Sequence, residues 1–136
     1  MTNQAVSWTM SLRPVDAIRQ HGTFRIARRM VCGSAVVEVA GRLDLCSSFT
    51  LRESLISIIN SGALPMLVDL TDVNFIDSTG LGVLAVLARH PKLALADLAI
   101  VCPEGRVRKT LRTAGLDQVI SVFPTQGQAL RDEVAA

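Results

Sequence analysis

Short apolar runs that alternate with segments of helical periodicity constrain the fold of this 136-residue chain more than any other feature. The runs Pro65–Leu70, Leu98–Cys102 and Val119–Phe123 have the length of strands, and apolar residues at three- and four-residue steps follow each of them. A loop is predicted over residues 71–76, after the first run. Strands that alternate with helices form parallel sheets with right-handed crossovers. The pattern therefore predicts an α/β fold with helices packed on a buried sheet.

Two further strands precede this alternation. Alternating residues over Thr23–Met30 predict a half-exposed strand, and Ala35–Ala40 predicts a second one. The turn at Gly33–Ser34 is short enough for an antiparallel hairpin. A helix that Ser47 or Ser48 can cap follows the hairpin. The apolar residues predicted for its buried face are Phe49, Leu51, Leu55, Ile56 and Ile59.

The predicted order of elements is β-β-α-β-α-β-α-β-α within one domain. Apolar residues make up 49% of the chain but aromatic residues only 4%, so we expect an aliphatic core. No internal repeat or linker interrupts residues 23–134, which we assign to the domain. Residues 1–22 show no clear periodicity, and we predict an N-terminal extension there, with disorder expected.

Composition argues against several kinds of partner. The net charge of +2 comes with scattered basic residues, which do not form a nucleic-acid footprint. The three cysteines form no CxxC pair, so neither a disulfide framework nor a zinc site is expected. No apolar run reaches the roughly 20 residues that span a bilayer, and the N-terminus lacks a signal-peptide pattern. We expect a cytoplasmic protein that binds neither nucleic acid nor membranes directly.

The segment Asp77–Gly82 (Asp-Ser-Thr-Gly-Leu-Gly) lies where a loop is predicted to become a helix. Ser78 or Asp77 suits the N-cap, because a side-chain oxygen there accepts a free backbone N–H. Gly80 and Gly82 leave part of the first turn bare, so another backbone can approach it. One interpretation is a helix cap and nothing more. The other is an exposed Ser78 hydroxyl at the positive end of a helix, where a phosphate is tolerated.

Enzyme chemistry finds little support in the sequence. His21 and His90 accompany no G-x-S-x-G elbow, so a hydrolase triad is not indicated. Neither a Walker A motif nor a G-x-G-x-x-G after a strand is present, and no cofactor is expected. Asp69 and Asp72 could form a paired-carboxylate or magnesium site, but such residues more often end a strand and shape a turn. We predict no catalytic and no metal-binding residues.

The stretch from Leu67 to Leu84 resembles the signature of STAS domains, in particular the anti-sigma factor antagonists of bacteria. Val39–Asp44 is similar to the family's glycine-x-leucine-aspartate loop, and Leu111–Asp117 is similar to the end of its third helix. The resemblance covers about residues 23–131. It implies a STAS-like single domain with a mixed sheet of about four to five strands and about four helices mainly on one face.

The resemblance also implies a switch. Ser78, directly after the motif aspartate, matches the family's phosphorylation site. Such a protein, when unphosphorylated, binds an anti-sigma factor serine kinase and frees a sigma factor; phosphorylation releases it, and a PP2C-type phosphatase resets it. Arg42 stands where the family often has an acidic residue; this departure either alters partner choice or has no consequence if the side chain is solvated. The positions that match the partner-contacting surface are Asp44, Asp77, Thr79, Gly80, Leu81 and Gly82.

Other functions within and beyond the family are alternatives. A STAS accessory subunit of a lipid-transport ATPase would bind its partner without phosphorylation. An adaptor of a larger stress-sensing assembly usually carries a sensory domain, for which the 22-residue extension is too short. A small enzyme is disfavoured by the missing catalytic residues.

Overall fold

A computed structural model describes residues 19–21, 24–63, 65–91 and 97–135. Its strands form one sheet in the order β1-β2-β3-β4-β5-β6. These strands are β1 (Arg19–His21), β2 (Phe24–Val31), β3 (Ser34–Leu43), β4 (Met66–Ile76), β5 (Leu98–Val101) and β6 (Ser121–Phe123). The helices are α1 (Leu45–Ser61), α2 (Ser78–Leu87), α3 (Arg106–Thr113) and α4 (Gln126–Ala135), with a 3-10 helix at Leu116–Gln118.

The sheet is mixed, as the STAS-like fold requires. β1, β2 and β3 pair antiparallel, whereas β3, β4, β5 and β6 pair parallel. The predicted α/β fold is thereby confirmed. One more strand is present than the prediction of four to five, because β1 forms from residues assigned to the extension. Residues 1–18 lie outside the described residues, so the division between extension and domain stays a prediction.

The predicted hairpin joins β2 to β3. Its two turn residues are Cys32 and Gly33, with φ of 51° and 82°, between the paired residues Val31 and Ser34. Two positive φ angles are typical of the two-residue turn whose twist matches that of the flanking strands. The turn therefore lies one residue earlier than predicted.

Residues 71–76, predicted to be a loop, are the second half of β4. They pair with the last residues of β3, with register shifts between Glu38 and Ala40 and between Gly41 and Arg42. Gly41 has a φ of 96° at this irregularity, where a side chain would be strained. The polar residues of the segment suggested a loop, but they are exposed while Val73 and Ile76 are buried. The prediction of a loop was wrong because the neighbouring strand β3 supplies backbone hydrogen-bond partners for this segment.

The larger core lies between one face of the sheet and the helices α1, α2 and α3. Inward side chains of the central strands, such as Val37 and Val68, contact apolar side chains of these helices. Phe24 is the one aromatic residue of this core within the described part of the chain, so the expectation of an aliphatic core is confirmed. The helices contribute Leu51, Leu55, Ile58, Ile59, Leu84, Leu87, Val107 and Leu111.

One residue of the predicted buried face of α1 lies on the opposite side. Leu51, Leu55 and Ile59 are buried as predicted and Ile56 is half-buried, but Phe49 is 63% exposed. Phe49 precedes Leu51 by two residues, which is about 200° around the helix axis. The prediction was wrong for Phe49 because a two-residue step does not stay on one face of a helix.

The second face of the sheet is covered by α4. Ala129 of α4 packs into a small cluster with Val36, Leu67, Ala99 and Val101. At the start of the same helix, the Gln126 amide nitrogen donates hydrogen bonds to carboxylates of β3 and β4. Within the described ranges, three helices lie on one face and one on the other, which confirms the prediction of helices mainly on one face.

Candidate partner-binding surface

The two longest strands end side by side, and each continues into a helix. Asp44 follows β3 and is the N-cap of α1, and Asp77 follows β4 and is the N-cap of α2. The backbone N–H of Asp77 donates a hydrogen bond to the Leu43 carbonyl at 3.2 Å. Because β3 and β4 are parallel, the N-termini of α1 and α2 come together at one edge of the sheet.

Asp77 caps α2 with one carboxylate oxygen. Its Oδ1 accepts hydrogen bonds from the backbone N–H groups of Thr79 at 3.0 Å and Gly80 at 3.2 Å, and from the Thr79 hydroxyl. The Thr79 hydroxyl is the largest cause of the lowered pKa of Asp77, against opposing contributions from burial and from the charge of Asp44. Of the two predicted caps, Asp77 therefore serves as the cap, and Ser78 is the first residue of the helix.

Asp44 caps α1 through a reciprocal pair of contacts. The Ser47 backbone N–H donates to Asp44 Oδ1 at 3.3 Å, and the Asp44 backbone N–H donates to Ser47 Oγ at 2.9 Å. The Ser47 hydroxyl in turn donates to the Arg42 carbonyl at 2.6 Å. The Ser47 backbone hydrogen bond is the main cause of the lowered pKa of Asp44. The predicted caps Ser47 and Ser48 were wrong, because the preceding carboxylate takes that position.

Ser78 and Thr79 are adjacent hydroxyls in very different surroundings. Thr79 is half-buried, donates to Asp77 and lies 3.4 Å from the Ser48 hydroxyl. Ser78 is exposed, and its hydroxyl makes no hydrogen bond to any residue the structure describes. Since Asp77 supplies the cap, the part of the fold that the structure describes does not use the Ser78 hydroxyl. It is an accessible nucleophilic oxygen at the N-terminus of a helix.

The two glycines of the motif differ in what surrounds them. A Cβ at Gly80 would lie 2.9 Å from Leu43 Cγ and from Ile76 Cγ1, and 3.1 Å from the Leu43 carbonyl oxygen. A Cβ at Gly82 would have no atom within 4 Å. The close approach expected at these glycines is therefore intramolecular at Gly80, whereas a side chain at Gly82 would meet open space.

The structure brings all the predicted partner-contacting residues to this edge of the sheet, but not all to the surface. Gly80 is buried, while Thr79 and Leu81 are half-buried, and Leu81 packs against the core. Asp44 and Asp77 are half-buried and bound within their caps. Gly82 is also half-buried, and only the neighbouring Ser78 is exposed in this segment. The contact of these residues with a partner stays a prediction.

Sequence reasoning missed exposed apolar residues at the same edge of the sheet as Ser78. Leu45 and Phe49 are 71% and 63% exposed one turn apart on α1, and Phe75 is 36% exposed at the end of β4. The sequence signal for Leu45 and Phe49 was their i, i+4 spacing, which is out of phase with the buried stripe of α1. We define the helix-start surface as Arg42, Leu45, Phe49, Phe75, Ser78 and Gly82.

Other kinds of site gain no support within the described ranges. Asp69 lies inside β4 and binds Thr71 and Gln126, and Asp72 is exposed within the same strand, so the prediction that they end a strand was wrong. No cluster there of three or more metal-ligating side chains could hold an ion. Burial raises the pKa of the Cys102 thiol to about 11. No helix among the described residues is long and apolar enough to cross a bilayer.

Residues 25–129 match the family model of the STAS domain, and the chain belongs to this family. The match spans most of the chain and includes both helix starts. It confirms the resemblance found in the sequence.

The named relatives are anti-sigma factor antagonists. The chain is 30% identical over 99 residues to the anti-sigma-F factor antagonist RsfB of Mycobacterium tuberculosis, covering 72% of this chain and 80% of RsfB. The crystal structure of an anti-sigma factor antagonist from Mycobacterium paratuberculosis superposes with a TM-score of 0.72 at 23% identity, covering 80% of this chain and 92% of that one. The unphosphorylated form of SpoIIAA, an anti-sigma factor antagonist from Bacillus, gives a TM-score of 0.66 at 22% identity, covering 82% and 97%.

Proposed function

We propose that the unphosphorylated chain binds an anti-sigma factor that is also a serine kinase, and thereby frees a sigma factor in the cytoplasm. Phosphorylation of Ser78 by that kinase switches the binding off, and a PP2C-type phosphatase restores it. The observation that carries this proposal is the exposed Ser78 hydroxyl, which has no hydrogen-bond partner among the described residues and lies at the same edge of the sheet as the apolar residues of the helix-start surface. Membership of the STAS family and the names of the relatives support the class of antagonist.

The switch works through the different cost of a phosphate in the free chain and in a complex. A phosphoserine carries about −1.5 to −2 charges at neutral pH. In the free chain it is solvated at a helix N-terminus, which favours anions by roughly 0.3–1 kcal/mol. Against a partner that covers Leu45 and Phe49, the same charge would be desolvated next to Asp44 and Asp77. An unpaired buried charge costs several kcal/mol, and about 1.4 kcal/mol is already tenfold in affinity.

Two findings bear on phosphorylation and on the alternative function. SpoIIAA has been solved in both unphosphorylated and phosphorylated forms, so a similar fold accommodates the phosphate. The names of the relatives do not favour an accessory subunit of a lipid-transport ATPase. Full biological function of a Ser78→Ala protein would nevertheless support that alternative, because such a subunit acts without phosphorylation.

The first test places the phosphate. Each purified anti-sigma factor serine kinase of the source organism is incubated with the chain and ATP, and the product is mapped by mass spectrometry. We expect one phosphate, on Ser78, none on Ser78→Ala, and normal modification of a control variant at the exposed Ser121, Ser121→Ala. A phosphate found on Thr79 alone, or on no residue with any kinase, contradicts the assignment of the site.

The same pair of proteins tests the surface. Calorimetry should show at least tenfold weaker binding for Ser78→Asp than for the wild type.

Two native cysteines map the contact: Cys46 is exposed next to Leu45, and Cys32 is exposed in the hairpin at the other end of β3, about 30 Å away. The bound partner should slow alkylation of Cys46 and leave Cys32 unchanged. Protection of Cys32 alone would place the interface elsewhere.

A further inference from the structure

Arg42 is held on the helix-start surface by its neighbours. Its guanidinium carbon lies 4.0 Å from the centroid of the Phe75 ring, and its Nε lies 3.9 Å from Asp44 Oδ2. The Arg42 side chain is 53% exposed, and Phe75 is its partner in the β3–β4 register. The sheet therefore sets the stacking, because it places the two residues side by side at the strand ends.

The contacts of Arg42 leave most of its hydrogen-bonding capacity unused. A separation of 3.9 Å from Asp44 is an ion pair but is too long for a hydrogen bond. The side chain makes no hydrogen bond to any residue that the structure describes. One face of the guanidinium lies on Phe75 and the Nε edge lies towards Asp44. Among the described residues, none accepts a hydrogen bond from the edge with the two terminal nitrogens. Its donors are those that bind a carboxylate in a paired arrangement.

The surroundings prepare this edge for a protein contact. Stacking on an aromatic ring orients the planar guanidinium before binding, which reduces the entropy lost in the complex. The Ser47 backbone N–H binds Asp44 Oδ1 and so opposes a turn of this carboxylate towards the arginine. Phe75, and Leu45 three residues after Arg42 in the chain, are exposed apolar groups that would exclude water from an ion pair formed there. Arginines and aromatic residues in such settings supply much of the energy of protein interfaces.

We propose that Arg42, oriented by Phe75, is a specificity-determining residue that pairs with a carboxylate of the anti-sigma factor. This inference rests on the proposed function and adds the chemistry of the partner: an aspartate or glutamate beside an apolar patch that covers Phe75 and Leu45. A carboxylate fits because it alone among protein groups offers two charged oxygens to two parallel N–H donors.

The test measures the affinity of unphosphorylated variants for the anti-sigma factor that binds the wild type. We expect Arg42→Ala to weaken binding at least tenfold and Arg42→Glu to weaken it further, because like charges then face each other. Arg42→Lys should fall between wild type and Arg42→Ala, since lysine keeps the charge but not the paired donors. The control is Arg89→Ala, an exposed arginine beyond the other end of α2, which should change affinity less than twofold.

A double-mutant cycle tests the role of Phe75. The losses from Arg42→Ala and Phe75→Ala should not add, because removing the ring already releases the guanidinium. Affinity of the wild type should also fall more steeply with salt than that of Arg42→Ala. Circular dichroism and the thermal midpoint report whether each variant is folded.

The outcomes separate this inference from the proposed function. If no anti-sigma factor of the organism binds the wild type, the proposed function fails and the inference fails with it. If the wild type binds and both Arg42→Ala and Arg42→Glu bind with wild-type affinity, only the role of Arg42 is overturned. If Arg42→Ala and Arg42→Glu lose the same affinity, and the salt dependence of binding is the same for wild type and Arg42→Ala, the loss comes from packing. That result would also overturn the proposed pairing of Arg42 with a carboxylate.

Discussion

The helices α1 and α2 begin in the same way, each with an aspartate N-cap after a central parallel strand. The residues of their first turns nevertheless have different roles. The first helical residue is the exposed Leu45 in α1 and the exposed Ser78 in α2. The third is Ser47 in α1, which completes the cap, and Gly80 in α2, which makes room for Leu43. The fold thus depends on the third residue of each helix and leaves the first one exposed, where the proposed function places a partner and a kinase.

The largest effect expected from this comparison is at Gly80. In Gly80→Ala the new Cβ would lie within 3.1 Å of the Leu43 backbone oxygen and closer to two core side chains. Overpacking of this kind costs about 1–3 kcal/mol, so we expect a matching fall in the urea-derived free energy of unfolding. Gly82→Ala is the control: its Cβ meets open space, and an alanine in a helix gains up to about 1 kcal/mol. Equal stability of the two variants would show that Gly80 is not packed as described.

The sequence predicts the buried parts of this arrangement better than the helix caps and the surface. The strands and the buried stripes were predictable, because Val68 or Leu55 follows a local period. The caps were less so: serine and aspartate are almost equally good N-caps, and the choice of Asp44 and Asp77 depends on where β3 and β4 end. Residues 71–76 became strand only through pairing with β3. The Arg42–Phe75 contact depends on that same register.

A smaller difference in stability is expected between alanine substitutions at Ser47 and at Ser78. Ser47→Ala removes the hydroxyl that links the Asp44 N–H to the Arg42 carbonyl, in a side chain that is 1% exposed. Loss of such a cap contact costs about 1–2 kcal/mol. Ser78→Ala removes a hydroxyl with no partner among the described residues and should change stability by less than about 0.5 kcal/mol. Denaturation in urea measures both variants, and a larger loss in Ser78→Ala would contradict a free Ser78 hydroxyl.

The smallest effect concerns the acidity of the two caps. The folded pKa of each aspartate is lowered, so its contribution to stability is present above the ordinary aspartate pKa of about 3.9 and is lost as pH falls through the folded value. The main causes differ: the Ser47 backbone N–H for Asp44, and the Thr79 hydroxyl for Asp77. Thr79→Val should therefore raise the Asp77 pKa towards its ordinary value and leave the Asp44 pKa nearly unchanged. Carboxyl-carbon NMR titration resolves the two, and a common shift would mean that the caps titrate as one coupled pair.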